Sequence, residues 1–343
     1  MLTPTEIRTA LPLSPDAHAC VDKTRQAIAE ILTGNDDRLL VVVGPCSIHD
    51  TRVAHDYAER LLKLRPQVED RLLLIMRTYL EKPRTTVGWR GLIDDPAMDG
   101  SCDMETGIQV ARELLLSLNE RGVPCATESL DPMLTRYTED LVAWTAIGAR
   151  TCESQTHRVM ASGLPMPVGV KNGTDGRVTT AIDALQAIGS EQRYLGLNAD
   201  GRITVRHALG NRNTHVVLRG GLNGPNYEPE HVATCEQALE TRGVTPRIMV
   251  DCSHANCAKQ AERQLNVLEN VGHQVASGNR SIMGVMVESH INAGNQSAKG
   301  GLKSLEYGVS VTDPCLGWDD TERGLLTLHD SLGIQRFNCE QAA

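Results

Sequence analysis

Short apolar runs recur along the chain, and each leads to a polar or charged residue. Leu39–Val43 leads to Cys46, Leu72–Met76 to Arg77, Val123–Thr127 to Glu128, and Ala146–Ala149 to Arg150. Val168–Val170 leads to Lys171, His215–Leu218 to Arg219, Ile248–Val250 to Asp251 and His254, and Ile282–Val287 to Glu288. Runs this short and this rich in branched aliphatics read as buried parallel strands. Helical stretches follow: Asp50–Leu64, Met104–Arg121, Leu134–Trp144, Ser154–Ser162, Arg177–Ala187, Glu230–Arg242, Ala258–Val271 and Asp320–Leu332. A strand–helix unit repeated in this way predicts an α/β fold, a (β/α)8 TIM barrel, whose chemistry sits at the carboxyl ends of its strands.

Two additions to the barrel are expected. Residues 1–38 form an N-terminal helical extension, and residues 39–343 the catalytic barrel. In the extension, Thr3-Pro4-Thr5-Glu6 has the pattern of a capping box with proline at the first helical position. A longer helix runs from Ser14-Pro15-Asp16 to about Thr33, where Gly34 supplies a left-handed stop. Between strands 5 and 6, Arg193–Leu197 and Arg202–Val205 flank Asn198-Ala199-Asp200-Gly201, which predicts a small β insertion built as a hairpin.

Composition narrows the function. Of 343 residues, 41% are hydrophobic but only 3% aromatic, so the core is built from aliphatic side chains. The net charge of −9 argues against general nucleic-acid binding, which needs a basic footprint. No apolar stretch is long enough to span a membrane, and the N-terminus lacks a signal-peptide pattern. The ten cysteines follow no disulfide spacing and read as reduced thiols of a cytoplasmic enzyme.

The strand ends sort into two chemical kinds. Arg77, Lys82 and Arg84 crowd one loop beside Thr85 and Thr86, while Arg150, Lys171 and Arg219 each end a different strand. Singly, each would be an ordinary surface cation. Together they predict a pocket for phosphate or carboxylate groups, held by charge-assisted hydrogen bonds. Glycines beside them allow close backbone approach, and the Gly220-Gly221 amides are candidate phosphate donors. The other kind is Cys46, His254 and Glu288, which end strands one, seven and eight. Those strands are neighbours in a closed barrel, and Asp313 lies just beyond the last. A thiolate, an imidazole and two carboxylates suit one divalent ion of the Mn, Fe, Co or Zn type. His49, His290 and Cys252 are read as neighbours of this centre. Glu128 fits neither half and is expected to orient the cations.

Longer motifs carry a family resemblance. GPCSIHD (44–50), RTYLEKPRTTVGWRGLIDDP (77–96), ATESLDP (126–132), IGARTCESQTHR (147–158), VGVKNGTDG (168–176), LRGG (218–221), DCSHAN (251–256) and SVTDPCLGW (310–318) occur in order. They resemble the type I 3-deoxy-D-arabino-heptulosonate 7-phosphate (DAHP) synthases of the bacterial and yeast alpha subclass, over nearly the whole chain. The resemblance implies a transferase that condenses phosphoenolpyruvate with erythrose 4-phosphate, the first step towards chorismate and the aromatic amino acids. It implies metal ligands at Cys46, His254, Glu288 and Asp313. Arg77, Lys82, Glu128, Ala149, Arg150, Lys171 and Arg219 resemble the phosphoenolpyruvate pocket. Lys82, Pro83, Arg84 and Thr85, with Asp313, resemble the erythrose 4-phosphate segment. Lys82 is the leading candidate for proton transfer, with His254 and Cys46 beside it at the reacting centre. A homodimer or homotetramer is implied by the family.

The chain departs from the family's usual pattern in places. Leu80 and Val170 stand where phenylalanine is common, and Leu222-Asn223-Gly224 lengthens the loop after LRGG. The sequence starts near the Thr3-Pro4 segment, which leads to the expectation of weak inhibition by Phe or Tyr. The tail TDPCLGWDDTER resembles tryptophan-sensitive members, which makes Trp a candidate effector. Two other readings remain: a specialised paralogue supplying a secondary-metabolite pathway, and an inactive barrel that senses a phosphorylated metabolite. The second would be expected to lack a metal ligand or Lys82, and none is missing.

Overall fold

The computed structural model describes the backbone of residues 1–340 and the side chains of residues 1–333. The last three residues of the expected barrel segment, 341–343, lie outside the described residues. Two helices come first, α1 (Pro4–Ala10) and α2 (Pro15–Thr33), then β1 (Leu39–Gly44), α3 (Thr51–Leu64), β2 (Leu72–Arg77), α4 (Met104–Glu120) and β3 (Cys125–Glu128). The chain continues through α5 (Thr135–Thr138), β4 (Trp144–Ile147), α6 (Gln155–Ser162), β5 (Val168–Lys171), α7 (Thr179–Ile188), β6 (Gln192–Leu197) and β7 (Ile203–Ala208). It ends with β8 (Thr214–Leu218), α8 (Pro229–Thr241), β9 (Ile248–Asp251), α9 (Gln264–Ala276), β10 (Ile282–Glu288) and α10 (Trp318–Glu340).

Eight of these strands close a parallel barrel in the order β1-β2-β3-β4-β5-β8-β9-β10. β1 pairs with β10, and β10 with β9, so the strands leading to Cys46, Glu288 and His254 are adjacent, as the sequence predicts. β6 and β7 form the expected antiparallel hairpin outside the barrel. Alternation along the strands splits the core in two. Leu40, Val42, Ile75, Ala126, Trp144, Ala146, Val217, Met249, Met283 and Met286 cluster together. As inward-pointing layers they fill the barrel interior. The same cluster contains Ile28 and Ile31 of α2. Arg247, just before β9, donates Nε to Leu32 O at 2.6 Å. These contacts seat α2 on the amino-terminal mouth of the barrel and leave the opposite mouth for chemistry.

Local signals act as the sequence suggests at the start of the chain. The Thr3–Glu6 capping box forms in full, and Gly34 ends α2 with φ 83°. Three boundaries differ from expectation. The stretch 134–144 is not one helix: α5 stops at Thr138, a 3-10 turn covers Glu139–Leu141, and Trp144 opens β4. Trp144 is fully buried and donates its indole N–H to His215 Nε2 at 2.9 Å, so barrel packing overrides the helical pattern. The fourth strand is therefore Trp144–Ile147 rather than 146–149. Residues 258–260 are also not helical, because Ala258 and Lys259 take left-handed φ values of 51° and 59°; a 3-10 turn covers Ala261–Arg263, and α9 starts at Gln264. Among the described residues, no helix is long and apolar enough to cross a membrane.

Candidate active site

The carboxyl ends of the strands surround a cavity of 290 Å3. Its lining includes Arg77, Lys82, Pro83, Arg84, Thr85, Glu128, Ala149, Arg150, Lys171, Arg219, His254 and Asp313, all singled out from sequence. Cys46 and Glu288 lie fully within the wall beside it. Larger cavities exist, but their linings do not gather these strand ends.

On the cation side, a ring that sequence reading passed over sets the spacing. Tyr79 is buried, and the Arg77 guanidinium carbon lies 3.7 Å from its ring centroid. Lys82 Nζ and Lys171 Nζ lie 5.6 and 6.0 Å from the same centroid. One aromatic face thus packs against three cations that would repel one another. Arg77 also donates to Glu288 Oε1 at 2.9 Å and to the Pro45 and Cys46 carbonyls. Lys171 pairs with Asp251 at 3.0 Å. Arg150 and Arg219 have no ion pair among the described residues, so two guanidiniums remain free for an anion.

Glu128 faces Gly148, and a Cβ at Gly148 would collide with its carboxylate. It forms no ion pair among the described residues, so the expected orienting contact to the cations is not made directly. Gly148 is a glycine because Glu128 occupies that space. The Gly220 and Gly221 amides are also committed elsewhere, to Asn226 Oδ1 and Gly224 O. They are not free phosphate donors. Instead three asparagines tie the loops after β5, β8 and β9. Asn172 Oδ1 accepts from Arg219 N at 2.9 Å and from Asn226 Nδ2 at 3.2 Å. Asn256 Oδ1 accepts from Asn226 N at 2.8 Å. The lengthened loop turns back at Gly221–Gly224 and projects Leu222 outward, leaving this clamp intact. Leu80 and Val170 are buried, as the phenylalanines they replace would be.

On the other side, ligand atoms of Cys46, Glu288 and Asp313 lie within 4.8 Å of one another, the one such cluster among the described residues. His254 Nε2 is 3.9 Å from Glu288 Oε1. Burial, and then the Glu288 charge, push the Cys46 thiol above its ordinary range. A buried thiol crowded by two carboxylates is a poor arrangement on its own. A divalent cation would reverse the repulsion and deprotonate the thiol, so the donor set fits a metal. Lys82 Nζ lies 3.2 Å from Cys46 Sγ and 3.1 Å from Cys46 O. Burial lowers the Lys82 pKa, but the charges of Cys46 and Glu288 outweigh it and hold the ammonium.

The histidine's tautomer follows from its neighbours. Ser253 donates its hydroxyl proton to Asp251 Oδ1 at 2.6 Å, and its oxygen lies 2.7 Å from His254 Nδ1. Asp251 Oδ2 is 3.0 Å from the same nitrogen. With the serine proton used, Nδ1 carries the hydrogen and Nε2 presents its lone pair beside Glu288. His254 has φ 58°, a strained value that its contacts hold in place. Burial would raise the Asp251 pKa, but His254 and Lys171 hold it well below the carboxylate range. Sequence reading noted Asp251 only as a strand end; the signal was the Asp-x-x-His spacing of DCSH. His49 and His290 sit together near this wall with ring centroids 5.8 Å apart, and burial drives His290 down to about 3.

Comparison with known proteins agrees with this geometry. A family model described as the DAHP synthetase I family matches residues 12–326. The Tyr-sensitive phospho-2-dehydro-3-deoxyheptonate aldolase of Escherichia coli K12 is 52% identical over 335 residues, covering 98% of this chain and 94% of the relative. The Phe-sensitive enzyme of the same organism is 48% identical over 336 residues, covering 98% and 95%. A solved phospho-2-dehydro-3-deoxyheptonate aldolase from Francisella tularensis SCHU S4 superposes with a TM-score of 0.95 at 41% identity, over 98% of this chain and 97% of the other. The barrel, the strand-end chemistry and these relatives agree, and the chain belongs to the DAHP synthetase I family.

Proposed function

We infer that this protein condenses phosphoenolpyruvate with erythrose 4-phosphate and water, giving DAHP and inorganic phosphate. The observation that carries this reading is the single cavity in which five strand-end and loop cations, Arg77, Lys82, Arg150, Lys171 and Arg219, face His254 and Asp313. Two phosphorylated substrates repel each other. Fixed cations that hold them in reacting geometry remove much of the barrier.

The roles proposed for the residues follow from their places. Arg150 and Arg219, whose guanidiniums have no ion pair among the described residues, take the phosphate and carboxylate of phosphoenolpyruvate together with Arg77 and Lys171. Lys82, Pro83, Arg84 and Thr85 form the edge that takes erythrose 4-phosphate. Cys46, His254, Glu288 and Asp313 hold one divalent ion, of the Mn, Fe, Co or Zn type. When bound, that ion supplies Lewis-acid polarisation of the aldehyde oxygen. C3 of phosphoenolpyruvate attacks the aldehyde carbon, and Lys82, protonated and central, gives its proton to the new alkoxide. Water adds to C2, and phosphate leaves by cleavage of the C2–O bond. A coupled assay of phosphate and 2-keto acid release from the two substrates tests the reading. Equal release of both is expected; release of phosphate without a keto acid product would overturn it.

An aromatic amino acid is the effector class we propose. A cavity of 740 Å3 lies between the β6–β7 hairpin and α5–α6. Met133, Val159 and Tyr194 give it apolar wall, Arg193 and Arg206 suit a carboxylate, and Asp131 suits an ammonium, while Arg136 and Glu139 pair with each other. The tail that suggested Trp does not line it. Trp318 instead packs edge-on to Tyr57, with centroids 5.3 Å apart. Relatives at 47–52% identity include Tyr-, Phe- and Trp-sensitive enzymes, which supports an aromatic amino acid as the class of occupant without choosing among the three. Assembly as a homodimer or homotetramer has the support of the hairpin's outward face, where Leu195, Ile203 and Val205 are exposed.

A further inference from the structure

Asp251 touches both halves of the site. Its Oδ2 lies 3.0 Å from Lys171 Nζ on the anion side and 3.0 Å from His254 Nδ1 on the metal side. The carboxylate is fully buried, so both contacts form in a setting of low dielectric. Its Oδ1 is held by Ser253 Oγ at 2.6 Å and Ser253 N at 3.1 Å. Asn256 Nδ2 grips its carbonyl at 2.8 Å. The group cannot turn away from either partner.

We propose that Asp251 is a positioning residue that couples phosphoenolpyruvate binding to metal binding. The inference rests on the function proposed above and adds a linkage within that site. One oxygen is shared between two donors. When Lys171 faces only Asp251, its ammonium draws on that charge. When an incoming anion takes part of the ammonium, more of the carboxylate charge falls on the His254 Nδ1–H. A more strongly polarised imidazole is a better Nε2 donor, as in other carboxylate–histidine–metal arrangements. Phosphoenolpyruvate therefore tightens metal binding through Asp251, and by thermodynamic reciprocity the metal tightens phosphoenolpyruvate. Direct attraction between the two ligands acts in the same direction. Removing the Asp251 charge separates the contributions, because direct attraction does not pass through that carboxylate.

The test uses Co2+ on the full chain, read by the near-ultraviolet charge-transfer band of the Cys46 thiolate. Metal-free wild type, Asp251→Asn and Ser253→Ala are titrated with and without phosphoenolpyruvate. Wild type is expected to bind Co2+ more tightly with phosphoenolpyruvate, by a factor of about 5 to 150. Asp251→Asn is expected to bind Co2+ roughly 10- to 100-fold more weakly and to lose most of the phosphoenolpyruvate effect. Ser253→Ala removes the competing oxygen 2.7 Å from His254 Nδ1 but leaves both Oδ2 contacts, so it is expected to keep the effect. Proton NMR of metal-free wild type needs no variant: phosphoenolpyruvate should move the His254 Nδ1–H resonance downfield. No thiolate band in wild type would remove the metal centre itself, and this inference with it. A normal band with an unchanged phosphoenolpyruvate effect in Asp251→Asn, or an unmoved Nδ1–H, would overturn the coupling and leave the proposed reaction standing.

Discussion

Lys82 is the residue whose loss should remove the proposed proton transfer. Its ammonium lies against the Cys46 sulfur and the Tyr79 ring, within the wall shared by both proposed substrates. Lys82→Met is predicted to lower kcat by about 100- to 10,000-fold, the usual weight of a general acid. An unchanged kcat in steady-state assays would remove it from that role. Arg150 and Arg219, which lack ion pairs among the described residues, should behave differently. Replacing either with Ala removes a charge-assisted contact worth roughly 1.5–3 kcal/mol. The expected result is a rise in the phosphoenolpyruvate KM of about 10- to 150-fold, with a smaller fall in kcat. At this scale the sequence was informative because a barrel strand ends where its apolar run ends, so counting runs located Cys46, Arg77, Lys171 and Glu288. It was silent on Tyr79 and on the pairing of Asp251 with Lys171. An aromatic between two apolar runs reads as core, and a carboxylate whose lysine partner lies 80 positions away in the chain shows only its nearby histidine in the local pattern.

Strands and loops explain why certain residues are small or uncharged. Gly169 sits in β5 where a Cβ would run into Trp144, His215 and Val217. Gly169→Ala is predicted to destabilise the fold by about 1–3 kcal/mol through overpacking, read by denaturant unfolding. The loop after β2 holds a second constraint. Glu81 is buried, and burial, followed by the charges of Asp131, Asp94 and Glu128, raises its pKa well above the ordinary 4.5. A carboxyl whose folded pKa is raised contributes its stability below the unfolded value and loses it as pH climbs. Glu81→Gln should therefore match wild type near pH 4.5 and melt higher than wild type at neutral pH. Equal melting temperatures at both pH values would contradict this. Element boundaries failed in sequence where tertiary packing decided them. The 134–144 pattern lost to Trp144 entering the barrel, and 258–260 lost to the left-handed turns that follow the β9 site loop. The hairpin was legible because Asp200-Gly201 fixes a turn locally, with Gly201 at φ 72°.

The whole molecule is a barrel plugged at one end by α2 and charged at the other. That polarity keeps the interior cluster dry and commits the strand ends to function. The β6–β7 hairpin stands outside this plan and borders the cavity proposed for an aromatic amino acid. Titrating Tyr, Phe and Trp against the purified enzyme is predicted to show inhibition by at least one of the three. Substituting Arg193, which lines that cavity, should weaken the inhibition while leaving turnover without effector unchanged. The joint action of the two halves of the open mouth, a metal opposite a cluster of cations, underlies the proposed reaction. It is tested most directly by stripping the protein with a chelator and assaying phosphoenolpyruvate with erythrose 4-phosphate, before and after adding Mn, Fe, Co or Zn. The stripped protein is expected to carry out no condensation, and at least one of these ions to restore DAHP and phosphate in equal amounts. Full activity of the verified metal-free protein, or no condensation with any of the four, would contradict it.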